Sequence, residues 1–338
     1  MEEIAAPVSQ LKFQLESAWE NRQNGESLPP EILEMIFRLL SPRDLKNAVL
    51  VCRRWREGGE TPVLWQWVSL TVDWVSLRVT RGNLSMPEML DTRRLQTAQS
   101  LMVRAVSDQL LQAVVRHSHL KLLDISRTDL SSVESGLLAS VVARMENVEV
   151  RYSRLTRQQW EAVFAAIGQD SKLKSLDIGH NDLSSVTPQL LANAVTKVET
   201  VNIRCTELTR QQWKAVFTAI SGDTKLRNLD IVYNNLSTVT PELLATAVSN
   251  LETVNIRNTR ITDQQWKAVF TALCGNSKLR NLHIGYNIGG NYINLTSVMP
   301  GLLATALRGL KTVSLSGARL TKEQKTIIGT LEDTKVKM

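Results

Sequence analysis

Apolar residues recur along most of this chain with a fixed beat. From about Leu120 the pattern L-x-x-L-x-I-x-x-N/T-x-L starts at Leu120, Met145, Leu173, Val198, Leu226, Leu251, Leu279 and Leu310. The intervals are 25, 28, 25, 28, 25, 28 and 31 residues. Two unit types therefore alternate and sum to a 53-residue period, and the last interval is a 25-residue unit carrying six extra residues, Ile288 to Ile293. In LKSLDIGHNDL (173–183), Leu176 and Ile178 point one way and Ser175, Asp177 and Gly179 the other. That alternation predicts a short strand with one core face and one open face.

Helix signals follow each strand. Thr156-x-x-Gln159, Thr209-x-x-Gln212, Thr262-x-x-Gln265 and Thr321-x-x-Gln324 each fit a capping box. The shorter units offer Thr187-Pro188 and Thr240-Pro241, read as a capping threonine before proline at the first helical position, whereas Met299-Pro300 keeps only the proline. Trp160, Trp213 and Trp266 stand at one equivalent site, each ahead of an A-V-F run, and fall on the apolar helix stripe. They are expected in the core. Lys325 replaces them in the last unit, as the polar end of a repeat array requires.

Repeats of about 20 to 29 residues with this leucine spacing identify leucine-rich repeats. The alternation of strand and helix resembles the ribonuclease-inhibitor type. The resemblance implies an α/β solenoid with a curved parallel sheet inside and helices outside.

A second pattern occupies Leu28 to Trp67, LPPEILEMIFRLLSPRDLKNAVLVCRRWREGGETPVLWQW. Pro30 suits the start of a helix, and Ile32, Leu33, Ile36, Phe37, Leu39 and Leu40 fill more than one of its faces. Ser41-Pro42 breaks the helix, and Asp44 sits in the first turn of the next, where a carboxylate suits the dipole. About 40 residues cannot bury enough surface to stand alone, so helices apolar on two sides need a neighbour on each. This stretch resembles an F-box through Leu28-Pro29-x-Glu31-Ile32-Leu33, Ile36-Phe37, Leu39-Leu40, Arg43-Asp44-Leu45, Val51-Cys52-Arg53-Arg54-Trp55 and Leu64-Trp65. The resemblance implies a three-helix module that docks a Skp adaptor and, through it, cullin and RING subunits. The residues it implicates are Leu28, Pro29, Ile32, Leu33, Ile36, Phe37, Leu40, Asp44, Leu45, Val51 and Trp55.

Four regions follow: a partly disordered leader over 1–27, the F-box over 28–67, irregular linking repeats over 68–119 and the solenoid over 120–338. Within the linking region, Val68 to Val72 and Ser100 to Val103 read as strands and Asp108 to Val115 as a helix, while 74–98 has no clear pattern.

The open face of the sheet can be read directly from the repeat. The position between the two core residues gives Asp124, Glu149, Asp177, Asn202, Asp230, Asn255, His283 and Ser314. The two positions after the second core residue supply Arg151, Arg204 and Arg257, and Tyr152, His180, Tyr233 and Tyr286. An acidic column should therefore run beside spaced arginines and tyrosines, the residue types that anchor interfaces. Acids and arginines on neighbouring strands are close enough to pair. The candidate partner-binding residues are Asp124, Arg151, Tyr152, Asp177, His180, Arg204, Asp230, Tyr233, Arg257, His283, Tyr286 and Tyr292, the last on the insert, which should bulge from the rim.

Composition narrows the function. With 338 residues, 43% hydrophobic and 22% charged, the chain is ordinary for a globular protein. Three cysteines, Cys52, Cys205 and Cys274, give neither a disulfide framework nor a metal-ligand spacing, which fits a reducing compartment, cytoplasm or nucleus. No phosphate loop, nucleophile elbow or zinc-binding H-E-x-x-H occurs, and His117-x-His119 alone is a weak metal pair. No catalytic group, metal or cofactor is expected, and no membrane span. The net charge of +7 permits nucleic acid, but the acids set among the arginines argue against it. Two readings remain: a substrate-recognition adaptor of an SCF-type ubiquitin ligase, with an unknown protein substrate, and a leucine-rich-repeat binding or inhibitor protein outside any ligase.

Overall fold

The structure is a computed structural model that describes residues 30–38, 40, 48, 69–72, 99–103, 106–116, 120–168, 170–285, 293–331 and 334–337. Its first helix, α1 (Pro30–Arg38), starts with proline and closes its exposed side with an Arg38–Glu34 pair at 2.7 Å. Leu33 and Phe37, four residues apart on one stripe, are buried.

Eleven strands form one wholly parallel sheet. They are β1 (Ser69–Val72), β2 (Ser100–Val103), β3 (Leu122–Asp124), β4 (Asn147–Glu149), β5 (Ser175–Asp177), β6 (Thr200–Asn202), β7 (Asn228–Asp230), β8 (Thr253–Asn255), β9 (Asn281–Ile284), β11 (Thr312–Leu315) and β13 (Lys335–Lys337), stacked in chain order. A separate pair joins β10 (Ile293–Asn294) to β12 (Ala318–Arg319). Between successive strands run α2 (Asp108–Arg116), α3 (Ser135–Arg144), α4 (Arg157–Ala166), α5 (Pro188–Lys197), α6 (Arg210–Ser221), α7 (Pro241–Asn250), α8 (Asp263–Leu273), α9 (Pro300–Arg308) and α10 (Lys322–Ile328). The architecture is the α/β solenoid expected from the repeat. The sheet passes through residue 120 without a break: Leu70 faces Leu101, which faces Leu123, which faces Val148.

The core lies between the sheet and the helices. Each repeat strand points a residue into it: Leu123, Val148, Leu176, Val201, Leu229, Val254, Leu282 and Val313 are all buried. Trp160, Trp213 and Trp266 meet them from the helices, each stacked on the phenylalanine one turn later at 5.5, 5.5 and 5.8 Å. The tryptophans are core residues, and Lys325, at the same place in the last unit, is exposed.

The four glutamine capping boxes form, and the glutamines do more than cap. Gln212 accepts from the Thr209 amide and donates its own amide to the Leu183 and Val186 carbonyls of the preceding unit at 2.6 and 2.7 Å. Gln159, Gln265 and Gln324 repeat this arrangement. Each therefore ties two units together from a fully buried position. The threonine caps of the short units do not form. Thr187 donates instead to the Glu161 carboxylate at 2.7 Å, and Thr240 makes no capping bond, so Pro188 and Pro241 alone set those helix starts.

The N/T position of the repeat alternates for a geometric reason. Asn181 and Asn234 are long enough to reach back and bond the preceding unit, at the Val150 and Ile203 carbonyls respectively. Thr206 and Thr259 are shorter and bond carbonyls of their own strand segment, Ile203 and Ile256. The insert ends one residue earlier than its sequence suggests, before Ile293. Ile293 is fully buried, with its amide bonded to the Gly317 carbonyl, because it occupies the inward position that Asn181 and Asn234 hold elsewhere. Residues 288–292 lie outside the described residues.

Candidate interaction face

The open face of the sheet presents one side chain per strand between the two buried ones. Asp124, Glu149, Asp177, Asn202, Asp230, Asn255, His283 and Ser314 form this column, as the repeat predicts. Their first task is local. The carboxylates of Asp124, Asp177 and Asp230 accept the amide two residues on, from Ser126, Gly179 and Val232, at 2.9, 3.0 and 3.1 Å. Asn202 does the same for Arg204 at 3.0 Å. Aspartate and asparagine thus interchange here because both offer an acceptor to the turn that ends the strand.

Arginines cross over this column. Arg151 pairs with Glu149 and approaches Asp177 at 3.6 Å, and Arg204 approaches Asp230 at 3.5 Å. Asp177 and Asp230 also accept from Asn202 and Asn255 at 3.0 and 2.9 Å. Burial pushes the Asp177 carboxyl above its usual range, opposed in part by the Gly179 amide and by Arg151. The face is therefore a laced polar surface rather than a bare acidic stripe.

Past the strand the backbone turns left-handed. Arg127, Tyr152, His180, Cys205, Tyr233 and Asn258 have φ between 52° and 61°, and Gly317 holds the same place at 77°. The turn lets the hydrogen-bond ladder continue: the amides of Arg127 and His180 donate across to the Arg151 and Arg204 carbonyls, both at 2.7 Å. It also lifts the side chains onto the rim. Tyr152 stacks on His180 with ring centroids 4.4 Å apart, and Arg127 sits 5.7 Å above the same ring. Burial, Arg204 and Arg151 hold His180 below its usual value, so a neutral imidazole faces the tyrosine near pH 7. Tyr152 and Tyr233 are both 49% exposed, large aromatic groups left at the surface. Beside Tyr152 lies a trough of about 590 Å³ that reaches from Met102 to Arg204.

The structure thus gathers Asp124, Arg151, Tyr152, Asp177, His180, Arg204, Asp230, Tyr233, Arg257 and His283 along one face and its rim. Tyr286 and Tyr292 lie outside the described residues. Sequence reasoning missed the left-handed column, although Asn258 and Gly317 in register with it were a signal. Among the described residues no cluster of three or more His, Cys, Asp and Glu side chains could hold a metal, and no helix is long and apolar enough to cross a membrane. His117 and His119 lie outside the described residues.

Comparison with known families matches both parts of the architecture. The F-box-like family model matches residues 26–71, and the Leucine Rich Repeat model matches residues 172–194, which hold β5 and the start of α5. The chain carries an F-box-like segment ahead of leucine-rich repeats. The leucine-rich repeat-containing protein LegL7 from Legionella pneumophila is a structural neighbour, 14% identical with a TM-score of 0.49 over 80% of this chain and 93% of that one. No curated protein matches the sequence.

Within the F-box-like segment, α1 carries Ile32, Leu33, Ile36 and Phe37, with Leu40 just beyond it. Ile36 and Leu40 are half-buried, unlike Leu33 and Phe37. Leu28, Pro29, Asp44, Leu45, Val51 and Trp55 lie outside the described residues.

Proposed function

We propose that the chain is a non-catalytic adaptor of an SCF-type ubiquitin ligase, acting in the cytoplasm or nucleus. Its F-box-like segment docks a Skp adaptor, which connects it to cullin and RING subunits. The open face of the repeats holds the protein to be ubiquitinated. One observation carries this reading: a single chain joins an F-box-like segment to a solenoid whose free face and rim present Tyr152, Tyr233 and a line of arginines. Exposed aromatic and arginine side chains on a rigid scaffold are the groups from which interface anchors are made. The adaptor then contributes proximity rather than chemistry.

Co-purification tests the assembly. Ile36→Glu with Leu40→Glu should reduce Skp recovery by at least about tenfold, since a charge placed in an apolar helix interface is poorly compensated. The solenoid's thermal unfolding should not change. Undiminished recovery of Skp would refute the docking, and no Skp even with the unaltered chain would leave a repeat protein that binds outside a ligase.

A further inference from the structure

Arg151, Arg204 and Arg257 occupy the same place in successive periods, yet only the first two have an acid. On the neighbouring strand Arg151 meets Asp177 and Arg204 meets Asp230. The corresponding residue for Arg257 is His283, on β9. Among the described residues no carboxylate lies in ion-pair range of Arg257. Its stem instead crosses Gly285, where an added Cβ would meet Arg257 Cγ at 2.8 Å. The guanidinium then donates to Ser314 Oγ at 3.4 Å, and Ser316 Oγ lies another 3.4 Å on.

Two polar atoms at this rung, Arg257 Nε and His283 Nδ1, are buried without a hydrogen-bond partner. Arg151 and Arg204 also have an unpartnered Nε, but carboxylates neutralise their guanidinium groups. The surrounding sequence supplies no remedy. No Asp or Glu occurs between Asp263 and Glu323, an interval holding seven Lys and Arg. A half-buried cation with no carboxylate in ion-pair range is an unfavourable arrangement for a protein that stays alone. Burial and Arg257 hold His283 below its usual value, opposed in part by Asp230, so it stays neutral near pH 7 and leaves a single positive charge at the rung.

We propose that the third rung takes its carboxylate from the bound polypeptide: an Asp or Glu side chain of the partner docks against Arg257 and Ser316, above the buried Ser314, in the role that Asp177 and Asp230 fill within the chain. The inference rests on the reading that the open face holds the partner, and it adds the partner's chemistry at that end. A monoanion matches the one uncompensated cation. Gly285 is the positioning residue, because its missing side chain lets Arg257 lie across β9.

The test selects a displayed library of random linear peptides on the full-length chain. Recovered peptides should carry Asp or Glu at one fixed position. Arg257→Gln should weaken them by about tenfold or more, the range for losing one member of a partly desolvated charge pair. Changing the peptide's acid to its amide should weaken binding to the unaltered chain equally but leave binding to the Arg257→Gln variant unchanged. Gly285→Ala should reproduce the loss by displacing Arg257. Peptides that depend on Tyr152 and Arg204 but show no acidic preference would overturn this inference and leave the face reading intact. Peptides indifferent to every substitution on the face would overturn the face reading itself. If no peptide is recovered, acetate should still shift the Arg257 Nε–Hε resonance, and an unmoved resonance overturns the proposal.

Discussion

The helix side and the open face of the solenoid follow opposite rules. On the helix side the same residues return every 53 positions: a capping threonine, a buried glutamine and a tryptophan stacked on phenylalanine. On the open face, equivalent positions hold Asp, Glu, Asn, His and Ser. The helix side must fit a copy of itself, so a change there is felt by two units. The open face packs against no second layer, and the turn amides and exchangeable polar pairs such as Arg151–Asp177 and Asn202–Asp177 are what hold it. The difference separates positions that build the scaffold from positions free to meet another molecule.

Substitutions can break or sharpen this contrast. Trp213→Ala should have the largest effect, about 3–5 kcal/mol in chemical denaturation, because it empties a large buried site between two units. Gln212→Ala should cost about 2–3 kcal/mol, since it strands the Leu183 and Val186 carbonyls and frees the Thr209 amide. Thr209→Ala removes only the cap and should cost about 1 kcal/mol. If the glutamine variant is no worse than the threonine one, the cross-unit tie is not a stabilising element.

Asp177→Asn should have the smallest effect, below about 1 kcal/mol, because Asn202 and Asn255 already fill equivalent positions. Its sign follows from burial. The folded carboxyl sits above its ordinary value of 3.8, so its contribution to stability is present below that value and is lost as pH rises through the folded value. The amide should therefore equal or exceed the native chain in stability at neutral pH, and that advantage should close in acid. A variant clearly less stable at neutral pH would mean that the Arg151 contact outweighs desolvation.

Repeat phase, strand positions, glutamine caps and the core tryptophans were legible in the sequence because each depends on local spacing. The second bond of each glutamine was not. It reaches carbonyls 26 and 29 residues earlier, a distance no local pattern encodes. The caps at Thr187 and Thr240 were misread for a related reason, since Thr187's partner is a glutamate on the preceding helix. Ile293 looked like part of an insertion until its place in the inward column was visible. The column of open-face side chains was legible residue by residue. How Arg257 differs from its two counterparts required the strand register.

The left-handed rim has a consequence for anyone who would harden this scaffold. Arg127, Tyr152, His180, Cys205 and Tyr233 sit where glycine would be more comfortable, and only the last repeat, at Gly317, takes that option. Relieving each site with glycine could gain up to about 1 kcal/mol. The same edits would erase the aromatic stack and leave a sturdier molecule with a blank edge. Durability and grip compete here for the same backbone atoms.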